Sequence, residues 1–307
     1  MKTRILITGA DGFIGSHLTE KLVDYGALVS IFTNKRELKN LNHIKNKLKD
    51  IIIEDISNKK TIELIFKNNP QIIFHLAADS NVRNSIENPI KINEINLSGT
   101  LNVLEAARLL KNNELIRVIF SSSSIVYGTK LNPIKETDEI KPNNPYGASK
   151  ASADIYCYSY FKTYNLPIIV IRAFNIYGPR QSKDTISLFI KSSLRNENLK
   201  LEGGGLQTRD FNYIDDIINA FLIVGLDKKA IGETINFGSG KDISIKNLAK
   251  KIIEYSKSNS KIIDVPERLG QDLKSCCDNS KAKTLFNWDP KIPIDEGMKR
   301  TIEWFKS

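Results

Sequence analysis

Six short apolar runs in the first 172 residues, interleaved with helical patterns, constrain this chain more than any other feature. They are Arg4–Thr8, Ala27–Thr33, Ile51–Glu54, Ile72–Leu76, Ile116–Ser121 and Ile168–Arg172. Each is rich in isoleucine, valine or phenylalanine, with none of the in-out alternation expected of a strand that faces water on one side. Continuous β-branched runs mark strands buried on both faces, the habit of parallel sheets. Helical periodicity fills the gaps, most clearly over Ile14–Tyr25, Gly99–Leu110 and Ser149–Tyr164. The alternation predicts an α/β fold built on a doubly wound parallel sheet. In such a sheet ligands sit beyond the carboxyl ends of the strands, so the loops after Thr8, Thr33, Leu76, Ser121 and Arg172 carry the function. Past residue 175 the alternation weakens. Gly203-Gly204-Gly205 marks a turn, and helices are expected over Ile214–Leu226, over Ile245–Lys257 and near the end of the chain. We expect a domain over 1–175 and a smaller α/β domain over 176–307, with some later segments returning to the first.

Charge and length narrow the possibilities further. With 307 residues the chain is long enough for one large domain and one small one. The net charge is +10, but the lysines are spread over nearly every helical segment, and no arginine-rich or aromatic-interleaved patch stands out. This reads as a solvated lysine surface that favours an anionic ligand, with no nucleic-acid partner. The longest apolar runs fall far short of the ~20 residues a membrane span needs. The N-terminal run passes straight into glycines without the form of a signal peptide, so a cytoplasmic address and no membrane partner are expected. Cys157, Cys276 and Cys277 have neither CxxC nor Cys/His spacing, which argues for reduced thiols and no metal site.

The stretch ILITGADGFIGSHL places Gly9, Gly12 and Gly15 on a strand–turn–helix junction, spaced GxxGxxG. Glycines there let the backbone approach a pyrophosphate, whose charge the helix N-terminus stabilises, so a dinucleotide cofactor is expected. The end of the second strand reports on which one. An acid there would bind the ribose hydroxyls of NAD. Here Thr33 takes that place, followed by Asn34, Lys35 and Arg36. Two cations after a neutral residue suit the 2′-phosphate of NADP, or else they simply open a solvated helix. Asp55 and Ile56, after the third strand, are placed to meet an adenine ring. His75 in FHLAAD reads as a packed strand residue.

In NPYGASKAS, Tyr146 and Lys150 are four residues apart and share a face if the segment is helical. A phenol with pKa near 10 is a poor base at pH 7, short by about 4 kcal/mol. An ammonium ~4 Å away offsets about that much at an effective dielectric of 20. A phenolate assisted by the lysine together with an oxidised nicotinamide is therefore the expected proton carrier.

Taken together, TGADGFIG, HLAA, SSSSIVYG, YGASK, RAFNIYGPRQ, QTRDFNYIDD and PERLGQD…DNSKA resemble the extended short-chain dehydrogenases/reductases that act on nucleotide sugars, nearly end to end. The resemblance implies a Rossmann domain, a nucleotide-diphosphate-sugar substrate, bound NAD (or NADP) and a homodimer. The dimer would form through helices near Gly99–Leu110 and Ser149–Tyr164, where Tyr156, Tyr160 and Phe161 face either outward or into the core. It implies catalytic roles for Ser123, Tyr146 and Lys150. It extends the cofactor contacts to Phe13, Ile14, Leu76, Ala77, Ala78, Asn96 and Ser121, with Tyr146 and Lys150 shared. Substrate contacts are implied for Ser123, Ser124, Asn175, Arg209, Arg268 and Ser275. Gln271 departs from the Asp that many epimerases carry, which leaves the phosphate and ribose contacts near it unassigned.

The same resemblance separates the possible reactions. Dehydratases of the family carry Asp-Glu in the two places after the catalytic Ser or Thr, and decarboxylases usually keep the Glu. This chain has Ser124 and Ile125, and an isoleucine moves no proton. Chemistry at C4 alone is left: 4-epimerisation or, alternatively, reduction of a 4-keto-6-deoxysugar. A catalytically silent dinucleotide-binding protein is a third reading, disfavoured because Ser123, Tyr146 and Lys150 are all present. Ser275 stands where hexose-restricted epimerases tend to carry a tyrosine, which suggests room for an N-acetylated sugar.

Overall fold

The computed structural model describes residues 2–111, 114–267 and 269–307. The expected strands form with edges shifted by one residue at most. β1 (Arg4–Thr8) leads into α1 (Phe13–Asp24), then β2 (Leu28–Thr33), β3 (Asp50–Ile53), α2 (Lys60–Asn68) and β4 (Ile72–His75). Two short helices, α3 (Val82–Glu87) and α4 (Pro89–Asn93), precede a π-helical turn over Glu94–Ser98 and α5 (Gly99–Leu110). β5 (Arg117–Ser121), α6 (Pro145–Tyr164) and β6 (Ile168–Ala173) complete the alternation. The continuous apolar runs are explained by burial: Leu6, Ile7, Ile73, Ile119, Ile169 and Ile171 are fully enclosed, covered by helices on the sheet's faces.

Seven strands make the main sheet, in the order β11-β6-β5-β4-β1-β2-β3, where β11 is Thr234–Phe237. β1 pairs in parallel with both β2 and β4, Ile7 standing opposite Ile31 on one side and Phe74 on the other. β4–β5 and β5–β6 continue in parallel. The chain moves outward from β1 to β3 and then returns to start again at β4. The switch point therefore lies between the ends of β1 and β4, where such sheets bind ligands.

Later elements are shorter: β7 (Asn175–Tyr177), α7 (Thr185–Leu194), β8 (Leu199–Glu202), β9 (Thr208–Arg209), β10 (Phe211–Tyr213) and α8 (Ile214–Leu226). After β11 come β12 (Ile243–Ser244), α9 (Ile245–Ser256), β13 (Ile262–Val265), β14 (Lys274–Ser275), α10 (Ser280–Phe286) and α11 (Ile294–Lys306). The chain divides into two compact units that interleave along the sequence. One comprises 1–126, 144–172 and 218–235, the other 127–143, 173–217 and 236–307. Segment 127–143, which precedes residue 175, thus belongs to the second unit, and 218–235 returns to the first. Among the described residues no helix is long and apolar enough to cross a membrane.

Candidate active site

The glycine turn is built by close backbone approach. Gly9 has φ +68°, and a Cβ there would lie 2.8 Å from the backbone of Ala77. A Cβ on Gly15 would lie 2.3 Å from the Gly9 carbonyl oxygen. Only glycine fits either place. α1 then starts at Phe13 and Ile14 with no acidic residue in its first turn to compete with an anion there. The cradle therefore fits a dinucleotide pyrophosphate.

Asp11, inside this turn, has a fully buried side chain. It accepts from the Asn40 backbone N–H at 2.9 Å and pairs with Lys35 Nζ at 3.3 Å. The segment after β2 is a loop in which Asn34, Lys35 and Arg36 are exposed, and Thr33 Oγ1 accepts the Lys35 N–H. No helix opens at Lys35, which corrects the solvated-helix alternative. Lys35 is pulled back to Asp11, while Arg36 points to solvent with no ion pair among the described residues. At the end of β3, Asp55 accepts from the Ser57 N–H and hydroxyl. Burial opposes its charge, but the Ser57 bonds prevail and hold it below the usual carboxylate range. The Ile56 side chain joins the core, against Gly99.

His75 is locked by a hydroxyl on each side. Thr8 Oγ1 accepts from the N–H groups of Leu76 and Ala77, so its single proton goes to His75 Nδ1 at 2.7 Å. Nε2 therefore carries the ring proton and donates it to Thr100 Oγ1, whose own proton goes to the Asn96 carbonyl. The imidazole is neutral, and burial, helped by the charge of Lys150, lowers its pKa to about 3. Asn96 continues the chain of bonds. Its amide donates to the Asp79 carbonyl and to Ser149 Oγ, and its side-chain oxygen accepts the Asp79 N–H. It fastens the loop after β4 (Leu76, Ala77 and the exposed Ala78) to helix α6. Its place in a π-helical turn matches the frequent use of such turns at functional sites.

α6 begins four residues earlier than its apolar pattern suggests. Asn144 caps it, accepting the Gly147 N–H at 2.9 Å, and Pro145 occupies the first turn. Tyr146 therefore sits at the helix entrance with Lys150 one turn further along, on the same face. The serine run leaves β5 at Ser121, then turns through a 3-10 segment over Ser124–Tyr127. Ser123 Oγ accepts the Ile125 N–H at 3.3 Å and hydrogen-bonds to Tyr146. Ser124 is buried. Ser123, Tyr146 and Lys150 are thus gathered by β5 and α6.

The Lys150 ammonium donates to the Ser121 carbonyl and lies over the Phe120 ring, 4.3 Å from the centroid. Burial pushes Tyr146 up to about 12, with Ser123 opposing and the Asp79 charge adding to the rise. Burial also lowers Lys150 to about 8, opposed first by Asp154. A four-carbon side chain reaches whichever acceptor is nearest, and the end of β5 presents one. Sequence reading missed Asp79, Asp154 and Asp11. Asp154 alone was detectable by spacing, as the next i+4 position after Lys150.

The second unit holds the other expected residues. Asn175 is exposed at the start of β7. Arg209, on β9, donates to the carbonyls of Thr208 and Asp272, both backbone partners. The Asp210 carboxylate instead accepts from Ser239, Gly240, Cys277 and Asn212. β14 pairs in parallel with β9 and sets Ser275, buried, opposite Arg209. Arg268 lies outside the described residues. Cys157, Cys276 and Cys277 are buried and unbridged, and no group of three His, Cys, Asp or Glu side chains among the described residues could hold a metal ion.

Residues 6–301 match the family profile described as GDP-mannose 4,6 dehydratase. The chain belongs to the NAD-dependent epimerase/dehydratase family of extended short-chain dehydrogenases/reductases. Within this family it is similar to a putative UDP-glucose 4-epimerase of Methanocaldococcus jannaschii, 36% identical over 99% of this chain and 98% of the relative. It is equally similar to a UDP-N-acetyl-alpha-D-glucosaminuronate decarboxylase of Bacillus cytotoxicus, 36% over 100% and 98%. A human dTDP-D-glucose 4,6-dehydratase follows, 35% over 99% and 90%. Pal from Bacillus thuringiensis shares the fold with a TM-score of 0.93, at 36% identity over 100% of this chain and 99% of that one. UDP-glucuronic acid 4-epimerase from Bacillus cereus, solved with UDP-glucuronic acid and NAD, aligns with a TM-score of 0.92, at 31% identity over 100% and 99%. Epimerase, decarboxylase and dehydratase relatives thus stand at nearly the same distance from this epimerase/dehydratase-family enzyme.

Proposed function

We propose that this enzyme is a nucleotide-sugar 4-epimerase, of the type acting on UDP-glucose or UDP-N-acetylglucosamine, with NAD held in the cradle of Gly9, Gly12 and Gly15. One observation carries the reading: the two residues after Ser123 are Ser124 and Ile125, and Ile125 offers only its backbone N–H, already given to Ser123 Oγ. Dehydration across C5 and C6 needs an acid and a base at that point, and neither side chain can serve. When bound, the nicotinamide supplies reversible removal of hydrogen from C4. Tyr146 takes the proton of the sugar 4-hydroxyl and returns it, Ser123 orients that hydroxyl, and Lys150 balances the phenolate charge. At a pKa of about 12 the phenol is about 5 units, or roughly 7 kcal/mol, too weak a base at pH 7. An ammonium brought within ~4 Å offsets about 4 kcal/mol of this at an effective dielectric of 20.

The ion pair of Lys35 with Asp11 supports NAD over NADP, because it neutralises one of the two cations that would meet a 2′-phosphate. Arg36, exposed and without an ion pair among the described residues, favours the second reading, an NADPH-dependent 4-keto-6-deoxysugar reductase. In the second unit, Asn175, Arg209 and Arg268 are assigned to the nucleotide diphosphate, and the small, buried Ser275 to an N-acetylated sugar. The exposed apolar residues Ile155, Tyr156 and Tyr158 on α6 and Leu109 on α5 support a homodimer. Tyr160, bonded to Glu105, and Phe161, packed against the core, serve the fold instead.

The deciding experiment denatures the purified protein and identifies the released nucleotide, then follows UDP-glucose and UDP-N-acetylglucosamine by NMR. Bound NAD and formation of the C4 epimer are expected. An empty site that fills with NADPH, with no epimer from either sugar, would establish the reductase instead.

A further inference from the structure

We propose that Asp154, clamped by Arg172 one helical turn beyond Lys150, is the positioning residue that keeps the Lys150 ammonium charged inside the site. The proposal rests on the Tyr146–Lys150 reading above and deepens it. Residues 146, 150 and 154 recur every four positions along α6 and share the face turned toward the sheet. Lys150, Asp154 and Arg172 are all nearly inaccessible, at 3%, 4% and 6% exposure. Arg172 reaches in from β6 and donates from Nε to Asp154 Oδ2 at 2.6 Å, and the Ser122 hydroxyl is the carboxylate's other neighbour.

The groups facing Lys150 come from four elements. β4 contributes His75, neutral as its hydroxyl partners require. β5 contributes the Phe120 ring and the Ser121 carbonyl, both uncharged. α6 contributes Tyr146, Asp154 and Cys157, and burial holds the Tyr146 phenol and the Cys157 thiol protonated. β6 contributes Arg172, whose charge is met by Asp154. Among these groups Asp154 alone supplies a formal negative charge. A buried ammonium facing only neutral dipoles gives up its proton readily. Arg172 serves as the clamp. Burial pushes the Asp154 carboxyl up, and a guanidinium that never deprotonates opposes the rise while fixing its direction.

The test follows the Lys150 titration in the full-length protein by NMR of 13Cε-labelled lysine, with the signal assigned by its loss in Lys150→Met. In Asp154→Asn the Lys150 pKa should fall by about 1–2 pH units, the size expected for a charge one helical turn away at intermediate dielectric. The basic limb of the kcat–pH profile should move down with it. A purely structural role would lower the melting temperature and leave both pH values in place. Asp154→Asn takes away the carboxylate that faces a buried arginine and risks misfolding, so Asp154→Asn/Arg172→Met, which removes both charges, is the second variant and should show a smaller fall in the same direction. Asp154→Glu should restore the wild-type titration. Lys150 titrating at its wild-type pH in both Asp154→Asn and the double variant overturns the proposal. The epimerase reading fails separately: Tyr146→Phe with undiminished turnover would refute it without touching the NMR result.

Discussion

His75 should make this protein acid-labile in a way that one substitution removes. The imidazole is buried, neutral and enclosed by Thr8 and Thr100, and its pKa is lowered from 6.5 to about 3. Above pH 6.5 the folded and unfolded imidazoles are both neutral, and the residue's contribution is fully present. As the pH falls below 6.5, the unfolded chain takes up a proton that the folded chain refuses until about pH 3. Stability is therefore lost across that window. The 3.5-unit difference corresponds to about 5 kcal/mol over the whole range and about 2 kcal/mol by pH 5, at 1.36 kcal/mol per unit. The assay is urea unfolding of wild type and His75→Gln at pH 7.5, 6.5, 5.5 and 5. Gln cannot titrate, so its curve should be shallower by up to about 1.4 kcal/mol per pH unit below pH 6.5. Carboxylates titrate in both proteins and cancel in the difference. The variant should start lower at pH 7.5, because Thr8 and Thr100 lose well-placed partners, at about 1–3 kcal/mol for each group left unsatisfied. Parallel curves for the two proteins between pH 6.5 and 5 would refute the neutral, proton-locked imidazole.

Other outcomes follow from the site. Tyr146→Phe should lower kcat by at least about a hundredfold, the usual scale of a lost general acid–base, with an unchanged melting temperature. Gly9→Ala, forced to φ +68° with its methyl 2.8 Å from the Ala77 backbone, should destabilise the protein by at least about 1–3 kcal/mol and weaken NAD binding, read by chemical unfolding and calorimetry. Asp11→Asn should release Lys35 and shift binding preference toward NADPH; an unaltered NADPH-to-NADH affinity ratio would count against the neutralising ion pair. Ser275→Tyr should abolish turnover of UDP-N-acetylglucosamine while sparing UDP-glucose, measured side by side.

The parallel sheet was legible because strands buried on both faces have no choice but to be continuously apolar, as Ile5–Ile7 and Ile168–Ile171 show. The later unit was not, since strands of two or three residues such as Thr208–Arg209 and Lys274–Ser275 are too short for any period to register. The entrance of α6 was missed for a related reason. Its start is written in a capping side chain, Asn144, whereas the pattern search followed apolar spacing. Of the candidate site, the spacing of Tyr146 and Lys150 was readable, but the direction of the lysine was not. It depends on the Ser121 carbonyl, 29 residues away in the chain and adjacent only once β5 and α6 pack. The same holds for Lys35 and Asp11, which are 24 residues apart and meet only because β1 and β2 lie side by side.

The order of the sheet has a consequence during synthesis. β6 opens on four apolar residues, Ile168–Ile171, and its outer flank is covered by β11, which the ribosome delivers some sixty residues later, after a long stretch of the second unit. Until then a finished row of backbone hydrogen-bonding groups stands open beside Ile168–Ile171, a ready template for pairing with a neighbouring nascent chain. A ribosome stalled between Ala173 and Thr234 therefore releases a product primed to aggregate, even though every residue implicated in proton transfer has already been made.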